Sequence, residues 1–269
     1  MAFIIAYLTV MFLFSVVTGL IGKVFGFDSN ISISGVKFDL GSHKWEPMSV
    51  FVVYSFGTFF TAGLGLFFYY VFSQFKSKIN LANLVMLWGS VIAISIVAAQ
   101  GLLPCLEPDE QKACYTNLTV VFAWFSFPLF ALYILCFLFF VILVFFSIYT
   151  SKPFLSFSYS FSKVSKIDRK RKYYFETVII PYVISCILIQ QFMHYTYPNE
   201  NFRILNLIYM VCIGISLSIS FVVININDMR SEEVLRYKNL QTVSPVLFIL
   251  FILMLIFFTT TNKGFYLPF

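Results

Sequence analysis

Residues 119–149, TVVFAWFSFPLFALYILCFLFFVILVFFSIY, run without a charge into Ser151–Glu176, SKPFLSFSYSFSKVSKIDRKRKYYFE, the one substantial basic island between two long apolar runs. An apolar stretch of this length needs a bilayer rather than water as its main solvent, because about 20 consecutive apolar residues suffice for a membrane helix. Working outward from it, seven such stretches can be marked: 2–22, 49–73, 80–103, 119–149, 174–196, 204–225 and 243–260. All are continuous runs rather than apolar–polar alternations, so helices are expected and a β-barrel is not. The run at 119–149 exceeds what a span needs, and tilt, extension beyond the bilayer or an irregular turn before Pro128 would each account for the excess. The expected fold is all-α, a polytopic transmembrane helix bundle of about seven spans forming one domain.

Composition agrees. The chain is 60% hydrophobic and 11% charged, against about 25% charged residues in a soluble domain. Its net charge of +6 is read as topology-setting basic loops facing anionic lipid, and nucleic acid is not an expected partner. With residue 1 on the cytoplasmic side, alternation places twelve of the 18 Lys and Arg inside and six outside. Among the inner ones, Lys163, Lys166, Arg169, Lys170, Arg171 and Lys172 form a lipid-binding or topology anchor. The expected location is a bacterial inner (cytoplasmic) membrane, with the N-terminus cytoplasmic and the tail TTTNKGFYLPF outside. The first run lacks a basic leader and an A-x-A site, and reads as a retained helix rather than a signal peptide.

On that topology the longer outer loops are 23–48 and 104–118. Within the first, ISISGVKFDL alternates and contains Ser-Gly, the pattern of a short hairpin. The second holds Cys105 and Cys114, a candidate disulfide on the oxidising face; Cys136, Cys186 and Cys212 read as small apolar packing residues. Two glycosylation triplets, at Asn30 and Asn117, also fall outside. His43 and Glu46, with Asp39, are weak candidates for a metal site, set against a solvated interfacial loop with Trp45 at headgroup level. No cofactor is expected.

Inside the spans, charge is absent from every centre, where coupled transporters usually carry it. Gln190, Gln191 and His194 form a candidate polar intramembrane cluster, read first as interhelical glue. Asn83, Ser90, Ser95 and Gln100 in the third run, and Ser216, Ser218 and Ser220 in the sixth, could line a path or pack through small side chains. The segment 226–240 reads as a short mixed-charge helix in which Glu232 and Arg236 make an i,i+4 pair.

The order VVTGLIGKVFGF, an outer β-like segment, YSFGTFFTAGLGLFFYYVFSQFKSK and LANLVMLWGSVIAISIVAAQGLL resembles the front of site-2-type membrane metallopeptidase relatives found in Bacteroidota. Leu87-Trp88 and Gly63/Gly65 echo that family's layout over roughly the first hundred residues. FSVVTGLIG has neither His nor Glu, and no His-Glu-x-x-His occurs in the chain. The resemblance therefore implies a non-catalytic offshoot and carries over no metal ligands. Three functions are open: a non-catalytic membrane subunit or accessory protein, with a membrane-protein partner or a second copy; a small-molecule or lipid transporter or channel using Asn83, Gln100, Gln190, Gln191 and His194; and an enzyme with a site at His43 and Glu46.

Overall fold

The structure is a computed structural model that describes residues 1–32, 35–38, 45–75, 81–106, 117–158, 161–196, 200–224 and 265–267. Among these, six helical segments are long and apolar enough to cross a membrane, and the protein is an integral, multi-pass helical bundle. The expected seventh span, 243–260, and the mixed-charge segment 226–240 lie outside the described residues.

Helix α1 (Ala2–Val24) ends where its sequence changes from branched apolar residues to glycine. The Gly26 N–H donates to Lys23 O and the Phe27 N–H to Gly22 O, both at 3.0 Å. This paired closure needs a left-handed residue between them, and Gly26 supplies it with φ 78°. Two strands follow, β1 (Ser29–Ser32) and β2 (Gly35–Phe38), antiparallel with Ile31 opposite Val36. The expected hairpin is thus present. It is seated on α1 at two glycines: a Cβ at Gly19 would collide with Ile31, and one at Gly22 with the Phe38 ring. A third strand, β3 (Phe265–Leu267), pairs antiparallel with the other edge of β1, Ile31 facing Phe265, so the order is β2-β1-β3.

The hairpin is tied to the next helix by rings. Phe27 stacks on Trp45 at 3.8 Å, Phe38 meets Trp45 edge-on at 5.6 Å, and Phe38 meets Tyr54 at 5.7 Å. Such pairs add roughly 0.5–1.5 kcal/mol beyond the area they bury. Helix α2 (Pro47–Gln74) starts on Glu46 with Pro47 in its first turn. The Glu46 carboxylate accepts from the Ser49 N–H, and the Glu46 N–H donates to Ser49 Oγ at 3.0 Å, a reciprocal cap.

Helix α3 (Leu81–Leu106) is the centre of the bundle and packs on α1 and α2. The long fourth run breaks in two, α4 (Asn117–Trp124) and α5 (Leu129–Ser156). The break lies immediately before Pro128, the irregular turn among the alternatives that the length of this run left open. Its closure repeats the one after α1, with the Phe127 N–H on Phe122 O and the Ser126 N–H on Ala123 O, both at 3.1 Å. Here the left-handed residue is Ser126, φ 48°.

The fifth run starts earlier than its apolar part suggests. Helix α6 (Ile167–Tyr174) carries the basic cluster, passes into a wide π-helical turn at Phe175–Ile179, and continues as α7 (Ile180–Thr196). Pro181 supplies the cause: it has no N–H for the preceding turn, and its ring crowds the carbonyl there, which a wider turn relieves. Helix α8 (Glu200–Val223) completes the described bundle and packs on α3, α5 and α7.

Ring contacts define the two ends. At one end Phe72 stacks on Phe157, Trp88 meets Phe154, Phe154 meets Tyr174, and Tyr174 meets Phe221. At the other lie the sheet and the start of α2. We call these the basic end and the sheet end. Helix α8 finishes at the basic end, whereas β3 belongs to the sheet, so residues 224 and 265 lie at opposite ends of the bundle.

Candidate functional site: a polar seam joining five helices

Helix α8 carries Asn206 and Tyr209 one turn apart in the otherwise apolar run ILNLIYMV. Residues three apart share a helix face, and both side chains turn into the bundle, 2% and 1% exposed. Each belongs to a chain of hydrogen bonds.

The first chain centres on Gln100 of α3, which is fully buried. Its Oε1 accepts a short bond from Thr58 Oγ1 of α2, and its Nε2 donates to Tyr209 OH at 3.2 Å. The second centres on Asn206. Its Oδ1 accepts a short bond from the Tyr7 hydroxyl of α1, and its Nδ2 donates to Gln190 Oε1 of α7 at 3.0 Å. Together the two chains join α1, α2, α3, α7 and α8. Tyr182 of α7 adds a further tie, its hydroxyl donating to Met210 O at 2.6 Å.

Toward the basic end a serine cluster joins α5 to α8. Ser147 Oγ and Ser216 Oγ are 2.7 Å apart, and Ser220 Oγ donates to Ser147 O at 2.6 Å. The Thr and Ser hydroxyls also return to their own helices, as in Thr18 to Phe14 O at 2.9 Å and Thr61 to Gly57 O at 2.8 Å. Among the described residues the buried hydroxyls of Ser15, Ser29 and Ser95 have no hydrogen-bond partner.

The seam is made of neutral amides and hydroxyls. The two central amides, Gln100 and Asn206, each bond through both oxygen and nitrogen and so hold helices together, while Gln190 accepts through its oxygen. Among the described residues no three His, Cys, Asp or Glu side chains gather as a metal site would require.

The residues singled out from sequence fall in different places. Gln190 joins the seam, while Gln191 faces outward. His194 occupies a position in α7, and its side chain lies outside what is described. Asn83 is buried at the basic end, where its Nδ2 donates to Phe75 O at 2.7 Å and caps the end of α2. Ser90 returns to Leu87 O at 2.8 Å, and Ser218 to Gly214 O at 2.8 Å on an exposed face. Of the residues grouped as a possible route, Gln100 and Gln190 both lie in the seam, Asn83 lies at the basic end and Gln191 faces outward. Glu46 is occupied as a helix cap; His43 and Asp39 lie outside the described residues. Asn30 is exposed on the central strand. Cys186 and Cys212 are free thiols. Cys105 belongs to the last turn of α3, and Cys114 lies outside the described residues.

At the basic end, Lys163, Lys166, Arg169, Arg171 and Lys172 are exposed, while Lys170 turns inward and is 3% exposed. Arg169 donates to Ser162 O at 3.1 Å, and Lys172 lies 3.9 Å from Glu176 Oε1. The basic cluster is thus five outward cations with a sixth lysine turned inward.

Tyr7, Thr58, Asn206 and Tyr209 were not singled out from the sequence. Asn206 had a signal: a lone amide in an apolar run, with Tyr209 at helical spacing. Thr58 and Tyr7 had none, since Thr and Tyr recur throughout the apolar runs. Comparison of the chain with protein-family models, curated proteins and solved structures gives no match.

Proposed function

We propose that the protein is a non-catalytic integral membrane subunit or accessory protein that works through its packed helices and its end surfaces. One observation carries this reading: the polar side chains at the heart of the bundle are spent on helix-to-helix hydrogen bonds. Gln100 and Asn206 each join three helices. A transport route would need such groups free to receive a solute, and a catalytic site would need an activated one. The kinship suggested by the front of the chain fits the same reading. The stretch FSVVTGLIG is given to packing, with Ser15 and Thr18 buried and Gly19 and Gly22 seating the hairpin.

On this reading, the five outward cations of the basic end lie on the cytoplasmic side of a bacterial inner membrane and meet anionic headgroups. The sheet end faces outward and offers recognition to a protein partner. Purification of the full chain in mild detergent, with identification of co-purifying membrane proteins, tests it. The expected result is a stoichiometric partner or a defined homo-oligomer. A solitary chain that sustains solute flux in proteoliposomes, with flux altered by Gln100→Leu, overturns it.

A further inference from the structure

The sulfur of Cys136, on α5, is held against the end of α3. Cys136 is buried, and its Sγ lies 3.3 Å from Gly101 O and 3.9 Å from Leu102 O. In a helix the carbonyl of residue 101 receives the N–H of residue 105, and side chains lean back toward the preceding turn. The sulfur therefore stands beside the turn of α3 that carries Cys105. The close approach is built into the backbone, since a Cβ on Gly101 would collide with the ring of Phe139, one turn along α5 from Cys136.

The state of the sulfurs points the same way. Cys186 and Cys212 are free thiols, and Cys136 is not among them. Of the five cysteines, Cys105 and Cys114 remain as partners. Cys105 is in the last turn of α3, beside the Cys136 sulfur, and a disulfide bridges Cα atoms a few ångströms apart.

We propose that Cys136 and Cys105 form a disulfide that staples α5 to the sheet-end turn of α3. The bond joins two helices rather than closing the 104–118 loop on itself through Cys105 and Cys114. Its formation removes two protons and two electrons from the thiols. A protein disulfide donor accepts them by thiol–disulfide exchange, its own disulfide leaving as a dithiol. The staple encloses α4 and the loop before it, so this segment is tethered at both ends. In this arrangement Gly101 is a positioning residue: it lets the two backbones approach closely enough for the sulfurs to meet.

The test uses the full chain. Membranes are dissolved in denaturing detergent with N-ethylmaleimide, which alkylates free thiols and prevents exchange, and the protein is digested without reductant for mass spectrometry. The expected result is one linked pair of peptides containing Cys105 and Cys136, with Cys114, Cys186 and Cys212 alkylated. A Cys105–Cys114 link overturns the proposal, as does alkylation of all five cysteines. In Cys136→Ser, Cys105 is expected to become fully alkylated, and Cys105 remaining blocked overturns it. Because alkylation follows denaturation, the wild-type result decides the matter even where the variant folds poorly.

Discussion

Helices α3 and α5 are both long, apolar and free of charge at their centres, yet they occupy opposite environments. Of the membrane-crossing stretch, 72% is buried in α3 and 11% in α5. The more hydrophobic helix is the more exposed. Leu129, Phe130, Tyr133, Phe137 and Phe145 of α5 all face outward, as they can where the surrounding solvent is hydrocarbon. What sorts the two is the small and polar content. Helix α3 carries Asn83, Gly89, Ser90, Ser95, Gln100 and Gly101, and its buried side is built on them. On α5 the inward residues include Cys136, Leu143, Ser147, Thr150 and Ser151, nearly the whole of its small and polar inventory. In lipid the interior is marked by close approach and hydrogen bonding, because apolar area alone gives no preference between protein and hydrocarbon.

That contrast can be broken in several places. The largest effect is expected at the α3–α5 contact. Gly101→Ala places a methyl against Phe139 and is expected to cost about 1–3 kcal/mol, at the upper end of overpacking, read by thermal or denaturant unfolding in detergent. Gly63→Ala on α2 is the control. A Cβ there meets nothing within 4 Å, so it is expected to be neutral or to stabilise by up to about 1 kcal/mol. Equal losses at both positions would refute the close approach.

Next comes the seam. Gln100→Leu removes two bonds and strands the Thr58 and Tyr209 hydroxyls, with an expected loss of about 1–3 kcal/mol at roughly 0.6–1.7 kcal/mol per interhelical bond. Asn206→Leu should cost a similar amount. Because Asn206 and Tyr209 share one face of α8, the double variant is expected to lose less than the sum of the two. Strict additivity would separate the two chains into independent ties.

Ser147→Ala should cost about 0.5–1.5 kcal/mol, the worth of its bond to Ser216. The smallest effect is expected on the outward face of α5, where Phe137→Leu and Phe145→Leu should each change stability by less than about 0.5 kcal/mol. A large loss at either would mean that this face is covered by protein.

Much of the architecture was legible because it follows from the runs themselves. Pro128 announced the break between α4 and α5, and Ser-Gly with flanking alternation announced the hairpin. The early start of the fifth span was hidden, since IDRKRK reads as a solvated loop until the helix of YYFETVII is seen to extend backward through it. Glu46 was ambiguous for a physical reason: a carboxylate followed three residues later by serine suits a helix start as well as a ligand, and only the reciprocal bonds with Ser49 decide. The seam was half visible. Gln100 and Gln190 stood out as amides in apolar runs, but which amide meets which hydroxyl depends on helix rotation and depth, which no periodicity records. Gln191, adjacent to Gln190, faces the opposite way for the same reason.

The sheet imposes an order of assembly on the whole chain. Strand β1 can pair with β2 as soon as residue 38 is made, because the two are neighbours in sequence. Its other edge accepts Phe265–Leu267, and that partner does not exist until all the described helices have been synthesised. Throughout that interval the hairpin presents an open backbone edge, which is both a point of attachment for another strand and a liability. A strand made after all the described helices closes the first edge the chain exposed, so assembly of those helices is registered at the sheet end as well as among themselves.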